Sequence, residues 1–214
     1  MHRSYLLLLR FIVLNIAALA VVVYIWLRGW LIDIVEQDVT HISLLIIGVF
    51  IAGWLICLFK VIRCSRELNA IMDPNLRPAS RANWYVELAQ QIVGDSRVAI
   101  AECLRSRLYA RISVVRVISN NLIILGLIGT VIGFIISLSG VDAERVSDVA
   151  AVGPMVSTLI QGMSVALYTT LVGAILHVWL TMCYQVLATG TVNLVNAIIE
   201  HTEVSSINNQ QEIL

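Results

Sequence analysis

Two long apolar runs without a charged side chain constrain this chain more than any other feature. Neither Val117–Val141 nor Val149–Ile199 contains an Asp, Glu, Lys or Arg. A helix needs roughly 20 apolar residues to cross a bilayer, so both runs can span a membrane. Two shorter apolar runs, Phe11–Leu27 and Ile42–Phe59, precede them. The sequence therefore predicts an all-α membrane protein with four transmembrane helices.

The composition argues against a soluble helical bundle. Charged residues make up 13% of the chain and hydrophobic residues 59%, whereas soluble domains carry about 25% charged residues. No small-residue cleavage site follows the first apolar run, so we expect that run to stay in the membrane as an anchor.

The distribution of charge predicts the orientation of the spans. Ten of the fourteen basic residues lie between Lys60 and Arg116, whereas segments 28–41 and 141–154 each carry three carboxylates and one Arg. Because basic loops stay on the cytoplasmic side, both termini should be cytoplasmic. The predicted order is a cytoplasmic N-terminus 1–10, span 11–27, outer loop 28–41, span 42–59, cytoplasmic helical segment 60–118, span 119–140, outer loop 141–154, span and cytoplasmic extension 155–188, and cytoplasmic tail 189–214.

The third and fourth spans are predicted to continue into the cytoplasm as helices. From about Ser96 an apolar stripe recurs at spacings of three and four, and no breaker separates it from the third span. Its members are Ala101, Leu104, Leu108, Ile112, Val115 and Ile118. Segment 155–188 would be about 51 Å long as a helix, against a hydrocarbon core of about 30 Å. The turn-rich stretch 73–80 should break the preceding segment, and the polar tail should be mobile.

Small residues and threonines recur within these two spans. The motifs are GLIGTVIG at 126–133 and GMSVALYTTLVG at 162–173. Small residues at helical spacing predict close helix packing, here by Gly126, Gly129, Gly133, Gly162, Ala166 and Gly173. Thr130, Thr169 and Thr170 should lie near the bilayer midplane. Their hydroxyls either bond to carbonyls of their own helices or form a polar path.

The two motifs together resemble the channel domain of the MotA/TolQ/ExbB family, over about residues 96–190. Comparable family segments are an LLGLLGTVIG-like third span and a GI/GM-x-x-AL-x-TT-x-x-G-like fourth span. Four spans with a cytoplasmic N-terminus are more similar to the MotA branch. So is Val165, which stands where ExbB-like and TolQ-like sequences often have Glu.

The resemblance implies an A-type subunit of an ion-driven membrane motor or stator in the bacterial inner membrane. Five copies would surround two MotB/ExbD/TolR-like B subunits, each with a single span whose Asp carries the ion. By position, Thr130, Thr169 and Thr170 are similar to the threonines that line the path beside that Asp. The ion would be H⁺ or Na⁺, with H⁺ slightly favoured.

The residues support the need for a partner independently. The two core spans contain no acidic side chain, and His177 is their only candidate proton carrier. The chain alone should therefore conduct protons poorly. We expect no cofactor, no nucleic acid partner and no metal site, since the four His do not have ligand spacing.

Several alternatives remain open at this stage. A group of charged residues before the third span forms either a contact face for a cytoplasmic rotor or effector, or merely a solvated positive-inside helix. Its members are Arg97, Glu102, Arg105 and Arg107. A non-conducting tetraspan scaffold could use the same glycine packing. A membrane enzyme is disfavoured because no nucleophile–base pair or metal cluster is apparent, and a secondary transporter because the halves show no repeat.

Overall fold

The described part of the chain is almost entirely α-helical. The computed structural model describes residues 4–27, 41–72, 96–141 and 149–211. Its helices are α1 (Ser4–Leu27), α2 (Ile42–Met72), α3 (Ser96–Ser139) and α4 (Val149–Gln211). All four are long and apolar enough to cross a membrane, and no strand occurs in these ranges. The predicted all-α class with four spans is confirmed. The loop residues 28–40 and 142–148 and the predicted break at 73–80 lie outside the described residues.

Helix α3 confirms the prediction of one uninterrupted helix that begins near Ser96. Its 44 residues correspond to about 66 Å, roughly twice the hydrocarbon thickness of a bilayer. The helix ends before Gly140, a residue type favoured just beyond helix C-termini. There the Val141 N–H donates to the Leu138 carbonyl at 3.1 Å, which closes the last turn.

Helix α4 is longer at both ends than the sequence suggested. It has 63 residues, or about 94 Å, and runs from Val149 to Gln211. Pro154 lies only in its second turn, where the missing N–H removes a single helical hydrogen bond. The segment expected to be a mobile tail is helical to Gln211. Leu194, Val195 and Ile198 are buried on it, and this packing stabilises the helix beyond residue 189.

The helices divide into two compact units, each built from parts of all four. One unit, which we call the terminal unit, comprises Met1–Leu14, Leu55–Val115 and Cys183–Leu214. The other, the span unit, comprises Asn15–Trp54 and Arg116–Met182. Both glycine motifs fall within the span unit.

Aliphatic side chains form the core of the terminal unit. On α3, Leu104 and Leu108 are buried one turn apart, as the sequence stripe predicts, and they face Leu68 of α2. The full buried cluster is Cys64, Leu68, Leu104, Leu108, Leu194, Val195 and Ile198. This is ordinary side-chain packing, in which apolar area leaves water.

A polar node attaches the first two helices to α4 in the span unit. The Oδ1 atom of Asn15 accepts hydrogen bonds from the indole N–H of Trp54 at 2.7 Å and of Trp179 at 3.2 Å. The ring of Phe50 packs 5.0 Å from that of Trp179. Because an unbonded amide is costly in an apolar environment, this node fixes how the three helices face one another.

Candidate functional site between the third and fourth helices

Helices α3 and α4 of the span unit pack antiparallel along one contact line, which we call the seam. Contacts along it pair successively later α3 residues with successively earlier α4 residues. From one end to the other they are Ser119–His177, Gly126–Thr170, Gly129–Thr169, Gly133–Gly162 and Ser137–Leu159. Both predicted glycine stripes therefore lie at a single helix–helix interface.

The two backbones approach each other closely at Gly133 and Gly162. A Cβ built on Gly133 would lie 2.6 Å from the Ala166 nitrogen and 2.7 Å from the Gly162 carbonyl oxygen. These are backbone atoms, which cannot rotate away as a flexible side chain could. Only glycine fits here, because the two backbones approach closely. Nearby, the Ser137 hydroxyl donates to the Leu159 carbonyl at 2.9 Å.

Thr169 is enclosed within the seam. Its exposed fraction is 0%, and its side chain fills the space beside Gly129. The hydroxyl lies 2.9 Å from the Val165 carbonyl and 3.1 Å from the Ala166 carbonyl, both in its own helix. Its burial distinguishes Thr169 from Thr130, which is half-buried, and from Thr170, which is exposed.

Thr170 instead bonds across the seam. Its hydroxyl donates to the Gly126 carbonyl of α3 at 3.1 Å, while the residue itself is exposed. A threonine hydroxyl carries one hydrogen and two acceptor lone pairs. With its hydrogen directed at Gly126, the Thr170 oxygen keeps lone pairs that can accept a hydrogen bond or coordinate a cation.

Thr130 is half-buried and lies near the same level. Since Gly126 pairs with Thr170, the antiparallel register places Thr130 about one turn, or 6 Å, from Thr170 along the helix axis. Its hydroxyl donates to the Leu127 carbonyl of its own helix at 2.6 Å. The hydroxyls of Thr130 and Thr169 thus donate to carbonyls of their own helices, which was one of the two alternatives drawn from the sequence. The Thr170 hydroxyl donates to the opposite helix instead.

Comparison with known proteins identifies the family. The sequence profile of the MotA/TolQ/ExbB proton channel family matches residues 87–200, just over half of the 214-residue chain and all of the seam. The chain belongs to this family. Comparison with curated proteins and with solved structures gives no significant match. Four apolar helices together with this channel family make it a multi-pass membrane protein of a transport-type family.

This MotA/TolQ/ExbB member carries a second polar site on the seam, seven residues beyond Thr170. We call Ser119, His177 and Thr181 the His177 cluster. The His177 Nδ1 lies 2.7 Å from the Ser119 carbonyl oxygen, and the Ser119 and Thr181 hydroxyls are 2.8 Å apart. A carbonyl can only accept, so Nδ1 donates its hydrogen to the Ser119 carbonyl oxygen. The Thr181 hydroxyl lies 3.5 Å from Nε2.

Sequence reasoning found His177 but missed its partners. Ser119 precedes Gly126 by seven residues and Thr181 follows His177 by four, so both occupy the same helix faces as the motifs. That spacing was a usable signal. The sequence signal for the Asn15 node was weaker, because a lone Asn within an apolar run does not indicate which tryptophans it contacts.

The chemistry of the seam in this channel-family chain is that of hydroxyls and one imidazole. Neither apolar run contains a carboxylate. In the ranges that the structure describes, no three His, Cys, Asp or Glu side chains converge as metal ligands. The seam therefore offers hydroxyl and imidazole groups but no acidic side chain that could bind and release an ion.

The predicted partner-contact residues lie on α3 in the terminal unit. Glu102, Arg105 and Arg107 are exposed within about one and a half turns of the helix, and the nearby Leu104 and Leu108 are buried. The side chain of Arg97 lies outside the described residues. A role for this face in binding a partner stays a prediction.

Proposed function

We propose that the chain is the A-type subunit of a rotary membrane motor driven by ion-motive force. In this proposal five copies surround two single-span B subunits in a bacterial inner membrane, with both termini cytoplasmic. An Asp on each B subunit carries the ion past Thr130 and Thr170. The four-span layout supports the MotA branch, and the family's description as proton channels supports H⁺ over Na⁺.

One observation carries the proposal: the seam has accessible hydroxyls but no carboxylate. Thr170 is exposed at the edge of the seam, and Asp and Glu are absent from both apolar runs. A proton pathway through a membrane normally requires a titratable group at depth. A partner helix against this surface would provide that group, next to hydroxyls that stabilise its charged and neutral forms.

Reconstitution in vesicles tests whether ion conduction requires both the chain and its partner. We expect vesicles with the chain alone to conduct no ions above background, and vesicles with the chain plus a single-span partner encoded beside it to conduct. Changing the partner's membrane Asp to Asn should abolish the flux while the complex still assembles. Conduction by the chain alone at the rate of the complex would overturn the proposal.

A non-conducting tetraspan scaffold is the second candidate, favoured by the self-bonded hydroxyls of Thr130 and Thr169. A scaffold would assemble with its partner and transport nothing at any membrane potential. Flux measurements on the assembled complex therefore distinguish the two candidates.

A further inference from the structure

A pocket with a basic rim lies between α2, α3 and α4 in the terminal unit, away from the seam. Its cavity is about 140 Å³, and its rim carries the side chains of Lys60, Arg63 and Arg111. Buried aliphatic residues, including Leu108 and Ile112, form the apolar part of its wall. We call it the basic pocket.

We propose that the basic pocket binds the phosphate headgroup of an anionic phospholipid. Three cations from two helices line the cavity, and no carboxylate is among the described residues that line it. The nearby Glu67 is paired with the Nε of Arg63 at 3.4 Å. The site therefore carries a net positive charge and presents fork-shaped donors, which match phosphate oxygens.

The size of the cavity limits its occupant to a small group. Pockets for drug-sized molecules measure about 300–1,000 Å³, well above this volume. The rim is also partly preorganised, because Lys60 Nζ donates to the Arg111 carbonyl at 2.8 Å and so ties the ammonium group to α3. A phosphate group entering the cavity meets cations that are already positioned.

Exposed apolar side chains beside the rim favour a lipid over free phosphate. Phe59 immediately precedes Lys60 and is 70% exposed, and Val114 follows Arg111 by three residues and is 49% exposed. Along their helices, both residues lie on the side of the rim that is nearer the apolar runs. A phospholipid with its phosphate in the pocket would extend its acyl chains over these residues. Basic pockets between helices at the cytoplasmic boundary bind such headgroups in other membrane proteins.

Native mass spectrometry of the purified full chain, exchanged into detergent with phosphatidylglycerol or phosphatidylcholine, tests the proposal. We expect retention of phosphatidylglycerol and not of phosphatidylcholine. Arg111→Gln should weaken retention about tenfold, as expected for one lost charge-assisted hydrogen bond. It leaves the Lys60 bond in place, because that bond is made to a backbone carbonyl.

Arg116→Gln is the matched control, since it removes an equal charge from the same helix at an exposed position outside the pocket. It should change retention by less than about threefold. Equal losses for the two variants would overturn the proposal in favour of diffuse attraction to basic side chains. So would displacement of the lipid by millimolar inorganic phosphate, which would make free phosphate the occupant.

Discussion

Helix α3 uses a single buried stripe in both units, but the side chains on that stripe change in size. In the terminal unit its buried positions are Leu104, Leu108, Ile112 and Val115. In the span unit they are Ser119, Leu122, Gly126, Gly129, Gly133 and Ser137. In water, large side chains are stabilised by leaving solvent, whereas lipid offers no such gain and favours close backbone contact. The change in side-chain size therefore fits a helix that passes from water into a membrane.

Hydroxyl groups also differ between the units in how often they bond to the opposite helix. In the terminal unit Thr191 donates to the Leu187 carbonyl of its own helix, which is how isolated helical threonines usually behave. In the span unit the buried Ser119 and Ser137 and the exposed Thr170 bond to the opposite helix, whereas Thr169 bonds within its own helix. Polar groups thus stabilise the association of helices where the hydrophobic effect cannot.

Gly133→Leu should have the largest effect, because it forces two backbones apart. The new side chain would meet backbone atoms of Gly162 and Ala166. We expect a loss of about 3 kcal/mol or more, at the upper end of overpacking costs, and failure to recover folded protein in detergent. The matched control is Gly48→Leu in the apolar part of α2, where a Cβ meets nothing within 4 Å. Similar yields and melting temperatures for both variants would contradict backbone packing at the seam.

Leu194→Ala tests the other packing mode. Leu194 is 2% exposed in the cluster with Leu104 and Leu108. Removing it should lower the free energy of unfolding by about 2–5 kcal/mol, through lost burial and a residual cavity. Val114→Ala, at an exposed position on α3, should cost less than about 0.5 kcal/mol. Denaturation in detergent compares the two, and equal costs would mean that the terminal unit lacks a packed core.

The sequence was sufficient for features that follow a helical repeat. Spacings of three and four predicted the start of α3 at Ser96 and both glycine stripes, because a stripe fixes which face of a helix is buried. The rotation of α4 about its own axis could not be deduced this way. Thr169 and Thr170 differ by about 100° around the helix, and only the packed structure shows that one is enclosed and the other exposed. The bonds of Asn15 depend on three helices at once, so no local pattern contains them.

His177→Leu tests whether imidazole contacts stabilise the seam as the glycines do. The variant removes the bond to the Ser119 carbonyl and leaves the Ser119 and Thr181 hydroxyls bonded to each other. We expect a destabilisation of about 1 kcal/mol, within the range measured for hydrogen bonds between membrane helices. Gln161→Leu, at an exposed position of the same helix, should be nearly neutral. A neutral His177→Leu variant would show that the imidazole contacts add nothing to helix association.

Thr170→Val should have the smallest effect on stability. It therefore tests the proposed role of the seam in ion transport with little change in helix packing. Valine matches threonine in shape but cannot donate to the Gly126 carbonyl, so we expect a loss of about 0.6 kcal/mol in the free energy of unfolding. Ion flux through the complex with its B subunit should fall about tenfold, the equivalent of one lost hydrogen bond to the ion or its carrier.

Thr170→Ser retains the hydroxyl and should retain most of the flux. Thr169→Val is the decisive comparison, because Thr169 is 0% exposed and its hydroxyl bonds only within α4. If accessible hydroxyls line the path, this variant keeps near-normal flux despite a similar stability cost. Equal loss of flux at both threonines would instead mean that the seam opens during transport, or that flux depends on its packing alone.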